Sequence, residues 1–102
     1  MTAQPQPRTD SFSALSDCFS VDLAALIGEE PRNVTPTGFI DLVKRVRDVL
    51  GTTGDAHLQE AHEDLNEAVT HLTDALTSSE NDQRSLLAWA RTHLRDAIET
   101  AR

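Results

Sequence analysis

The chain is short of most residues that build recognisable chemistry. It has one cysteine, Cys18, so neither a disulfide framework nor a cysteine-based zinc site is available. A lone cysteine is most often a small buried hydrophobe, and Cys18 is expected in the core. There is no tyrosine, and the aromatics are Phe12, Phe19, Phe39 and Trp89 alone, so Ala and Leu must fill most of the core. Four glycines form no Walker or dinucleotide pattern, which removes the usual phosphate cradles. No apolar run is long enough to span a bilayer, and the opening stretch MTAQPQPRTD lacks the apolar core of a signal peptide. The expectation is a cytoplasmic protein with no membrane association.

Charge of one sign is also scarce. Nine basic residues face seventeen acidic ones, and only Lys44 is a lysine. A net charge of −8 repels phosphate backbones, so no nucleic-acid partner is expected. The stretch GTTGD, flanked by apolar segments, has the look of a helix-turn-helix. Its would-be recognition helix, DAHLQEAHEDLNEAV, contains no Lys or Arg and starts on an acid, which excludes that use.

What the chain does have is helical periodicity. Residues 1–10, polar and with two prolines, read as a flexible tail, followed by one helical domain over 11–102. Phe12, Leu15, Cys18, Phe19, Leu23, Leu26 and Ile27 recur at threes and fours and predict a helix over about 11–27, with a potential break at Ser20-Val21. Thr35-Pro36 is a capping residue followed by proline at the first helical position. The stripe Phe39, Leu42, Val43, Val46, Val49, Leu50 then runs to a stop at Gly51, giving a helix over about 36–50. A third helix over about 55–76 is capped by Asp55 or Thr53. A fourth, over about 79–101, starts at Ser79, with Asp82 completing a weak capping box. No segment alternates as a strand does.

The last two helices share a motif. HLQEA, HLTDA and HLRDA begin at His57, His71 and His93. Leu58, Ala61, Leu65, Ala68, Leu72 and Ala75 form one heptad seam; Leu87, Ala90, Leu94, Ala97 and Ala101 form another. Run antiparallel, each Leu lies opposite an Ala. Pairing Leu58 with Ala97, Ala61 with Leu94, Leu65 with Ala90 and Ala68 with Leu87 puts the turn near Thr77-Ser78, where the pattern already breaks. The fold class expected is therefore all-α: a small antiparallel bundle built on a long C-terminal hairpin with a Leu/Ala seam. The same register sets Asp64 against His93 as a polar pair on the flank, and His71 against Leu86.

Functional expectations are correspondingly modest. Glu-x-x-His, the inward-facing order used by bundle metal sites, does not occur, and His57 and His62 are five apart where a zinc helix needs four. No metal, no cofactor and no catalytic residue is expected. Arg84, Arg91, Arg95 and Arg102 fall on one stripe of the last helix and are the candidate interaction surface. The simpler reading pairs them with the acids of the third helix, Glu60, Glu63, Asp64, Glu67 and Asp74. The expected function is a non-enzymatic interaction or regulatory protein whose partner is another protein or a second copy in a homodimer. The alternative is a ligand- or metal-responsive bundle using His57, His62, His71 and His93.

Overall fold

A computed structural model describes residues 7–30 and 35–101, with side chains from Phe12. It contains α1 (Pro7–Leu26), α2 (Pro36–Gly51), α3 (Ala56–Ala75) and α4 (Glu80–Ala101), with no strand among the described residues. No described helix is long and apolar enough to cross a membrane. The fold is an all-α bundle. Each helix packs on two neighbours in the cyclic order α1–α2–α3–α4, and the densest packing is between α3 and α4.

Local chemistry explains the boundaries. The helix begins at Pro7, so residues 7–10 of the expected tail belong to α1, while 1–6 lie outside the described residues. Proline at a first helical position sacrifices no hydrogen bond, since that N–H has no partner inside the helix anyway. No break occurs at Ser20-Val21. Thr35 caps α2 by accepting from the Gly38 N–H at 3.0 Å, with Pro36 following it. Asp55 caps α3 by accepting from the His57 N–H at 2.9 Å. Ser79 Oγ accepts from the Asp82 N–H at the start of α4. Each cap satisfies an amide that the first turn leaves open.

The two turns flanking α3 are closed in the same way. Gln59 donates to the Gly51 carbonyl at 3.3 Å, and Gln83 donates to the Ala75 carbonyl at 2.9 Å. Both bonds span eight residues and reach back from the new helix to the last carbonyls of the old one. Gln83 is buried, and this bond supplies the partner its amide needs there. Hydroxyls complete each end: Thr52 and Thr53 on the Val49 and Leu50 carbonyls, Ser78 on the Asp74 carbonyl.

Gly51 works differently from expectation. It remains in α2, and positive φ falls at Gly54 instead. Gly51 is needed for room: a Cβ there would stand 2.7 Å from Nδ1 of His62. That nitrogen donates to the Arg47 carbonyl at 2.9 Å, so an imidazole from α3 docks against the last turns of α2. Nearby on α2, Arg45 grips Glu29 through two hydrogen bonds of 2.9 and 3.2 Å. The hydrogen bond first, and then the charge of Glu29, hold this guanidinium above its ordinary pKa.

The core is a close-packed Leu/Ala interior. Ala61, Leu65, Ala68, Leu72, Ala75, Leu87, Ala90, Leu94 and Ala97 are all buried, and Leu58 packs half-buried at its edge. Contacting partners rise along α3 as they fall along α4, from Asp64–His93 to Ala75–Gln83, so the hairpin is antiparallel. From α2, Phe39, Leu42, Val43, Val46 and Leu50 fill the core together with Ile40, whereas Val49 turns outward. Phe12, Leu15, Phe19 and Leu23 close it from α1. Cys18 is exposed, contrary to the expected burial. α1 contacts both α2 and α4, and its second buried line is Ser16, Ser20 and Ala24, small residues that let it sit close. Centring the buried arc on these two lines leaves Cys18 on the open side of the helix.

Two expectations follow. Ala90→Leu should overpack the seam and destabilise by ~1–3 kcal/mol. Thr73→Leu, at an exposed position of α3, should shift stability by ~0.5 kcal/mol or less, both read from urea denaturation. Gly51→Ala should fail to stabilise the native chain, because the new methyl displaces His62. In a His62→Ala background the same change should stabilise by ~0.4–1 kcal/mol, the ordinary effect of replacing a helical glycine.

Candidate functional site

Charge separates onto the two flanks of α4. Arg84 and Arg91 line an open cleft between α1 and α4, with Leu15, Cys18, Leu87 and Ala88 among its other walls. Arg95 is exposed further along the same stripe, and Arg102 lies outside the described residues. The expected neutralisation by the acids of α3 does not occur. Among the described residues Arg84, Arg91 and Arg95 make no ion pair; the pairs are Arg45–Glu29, Arg47–Asp48 and His93–Asp64. The reason is rotational. Glu60, Glu63 and Asp64 face the far flank of the hairpin, where they share a shallow cleft with Asp96 and Glu99.

The histidines also divide. His57 is exposed at the start of α3, and His62 is committed to the end of α2. His71 and His93 meet across the hairpin, their rings 5.7 Å apart between centroids and inclined by 15°. On the other side of His71 lies Trp89 of α4, at 6.4 Å and 26°, more than half exposed. Leu86, expected opposite His71, borders the same surface depression as His71 and Trp89. His93 Nδ1 stands 3.1 Å from Asp64 Oδ1. The carboxylate can only accept when ionised, so Nδ1 carries the hydrogen and donates it.

One residue of this flank escaped the sequence reading. Glu67 precedes His71 by four residues, one helical turn, and therefore projects beside it. A carboxylate oxygen of Glu67 and one nitrogen each from His71 and His93 all lie within 4.8 Å of one another. The available signal was the Glu-x-x-x-His spacing, which presents two ligands on one helix face. It was hidden because Glu67 is exposed and resembles the other solvent-facing acids of α3.

No family model, curated protein or solved structure matches this chain. Function is therefore read from these two flanks: a basic, partly apolar one shared with α1, and an acidic one carrying histidines.

The Asp64–His93 pair is roughly a quarter exposed on each side. Its removal by Asp64→Ala should cost ~1 kcal/mol or less in thermal or urea unfolding, in keeping with partly solvated ion pairs. A loss of several kcal/mol would mean that the pair carries the hairpin, not that it decorates it.

Proposed function

We propose that this is a small, non-enzymatic, cytoplasmic interaction or regulatory protein whose contact face is the cleft between α1 and α4. The observation that carries the reading is a set of exposed arginines with no ion-pair partner among the described residues, Arg84, Arg91 and Arg95, standing on and beside that partly apolar cleft. In a chain of net charge −8, a stripe of uncompensated positive charge is the exception to the surface as a whole. Such a stripe beside apolar walls suits an acidic amphipathic helix. The apolar side of that helix would lie on the exposed Ala14, Cys18 and Ala88, and its carboxylates would meet the guanidiniums. Charge complementarity would speed the encounter and set orientation, and the apolar contact would supply most of the residence time.

Cys18 provides the test, since it lies in the cleft and is the only thiol in the chain. Native and Arg84→Glu/Arg91→Glu proteins, immobilised, are to be compared for the proteins they retain from host extract. The retained partner is then added while the alkylation rate of Cys18 is followed. The expected outcome is a partner with an acidic amphipathic segment that slows alkylation and is lost by the double variant, whose unfolding midpoint is little changed. Retention of the same partner by the double variant, or binding that leaves Cys18 fully reactive, would refute this face. Slowed alkylation in the isolated protein at rising concentration, reversed by the double substitution, would identify the partner as a second copy.

A further inference from the structure

We propose that Glu67, His71 and His93 form a binding site for one divalent transition-metal ion of the zinc class, with Asp64 as the residue that positions His93. The proposal is independent of the α1/α4 cleft, which uses the opposite flank of α4.

The geometry comes from two helices whose register is fixed elsewhere. Glu67 and His71 project from one face of α3, and His93 reaches them from α4. Their ligand atoms lie within 4.8 Å of each other. Donors on a tetrahedral ion with bonds of about 2.0–2.2 Å sit roughly 3.3–3.6 Å apart. Closing that difference needs only small side-chain rotations, and Glu67 is exposed and His71 only half-buried, so both have the freedom to make them.

A second feature prepares the site. Asp64 takes the Nδ1 hydrogen of His93, which fixes the ring and leaves Nε2 with the free lone pair. A carboxylate holding the far nitrogen of an imidazole is the arrangement that orients histidine ligands in metal sites. The cleft beside it, with Glu60, Glu63, Asp64, Asp96 and Glu99, concentrates cations from solution. Two imidazole nitrogens with one carboxylate oxygen select zinc, cobalt, nickel or copper. Calcium and magnesium require more oxygen ligands than the site provides. With three protein ligands at a partly exposed position, water would complete the coordination. Because the ligands come from both arms, a bound ion would tie α3 to α4 directly.

The chain carries its own reporter. Trp89 is the only tryptophan, and it stacks on His71. The full-length protein, stripped with chelator, is to be titrated with zinc by calorimetry and with copper by Trp89 fluorescence. One equivalent of zinc should bind with micromolar or tighter affinity and raise the unfolding midpoint, and copper should quench Trp89 at the same stoichiometry. Magnesium should do neither. His93→Ala and His71→Ala should abolish the tight site, whereas His57→Ala should leave it intact. Asp64→Asn should weaken it about 10- to 100-fold, because the ring loses its orienting carboxylate. Absence of stoichiometric zinc binding by the native protein would overturn the proposal whatever the variants do. So would equal affinity in His93→Ala, with circular dichroism confirming its helical content, or loss of binding in His57→Ala.

Discussion

The close approach of α3 to α4 is the constraint on which the rest depends. It is possible because alanine alternates with leucine along both buried seams: Ala61, Ala68, Ala90 and Ala97 are fully buried in one core with Leu65, Leu72, Leu87 and Leu94. Alanine permits short interaxial distances and loses no side-chain entropy on burial, while leucine supplies the apolar area. An aromatic-poor chain can make a dry core only by such tight apposition. Once this seam is set, the register is fixed, and every pair on the hairpin's flanks is a consequence. Asp64 reaches His93 and Glu67 approaches the two imidazoles because the seam aligns them.

The seam also explains why charge sorts to opposite flanks. With the middle of α4 committed to α3, its polar residues can fall only on one side or the other. Arg84 and Arg91 go toward α1, and His93 and Asp96 go toward the acids of α3. The result is a molecule with strong net negative charge and a basic patch beside α1. Burial of Gln83 and the half-burial of His62 belong to the same logic. Gln83 is drawn inward to satisfy the Ala75 carbonyl that the turn leaves open, and His62 docks on the Arg47 carbonyl within the last turns of α2.

Much of this was legible in the chain itself. The heptads, the caps at Thr35, Asp55 and Ser79, and the Asp64–His93 pair follow from spacing, because a period of three and a half residues plus one located turn determines a hairpin's alignment. The features that were not legible depend on more than one helix at once. Cys18 and Val49 fit the apolar period of their own helices, yet face outward because small residues and Ile40 offered better contacts elsewhere. Gly51 read as a stop, and its real role appears only when the His62 ring of the next helix is set beside it. Glu67 looked like any solvated acid until α4 brought His93 across. Arg84 and Arg91 share a cleft beside α1, but the acids expected to meet them face the other flank, and a one-dimensional pattern does not say which way α3 rotates.

The paired glutamine latches have a further consequence for how the molecule loosens. α3 has a connecting turn of this kind at both ends, with Gln59 closing the turn before it and Gln83 the turn after it. Fraying propagates from helix termini whose end groups are unpaired; Asp55 and Gln83 pair those of α3, as Thr35, Thr52, Thr53 and Gln59 pair those of α2. Thermal opening should then begin in α1 and α4 and reach the two middle helices last. The middle of the chain would behave as a stiff keel, and the slowest amide exchange would map to α2 and to the helix that carries Glu67 and His71. A surface whose key side chains ride on the most persistent segment keeps its shape while its surroundings breathe.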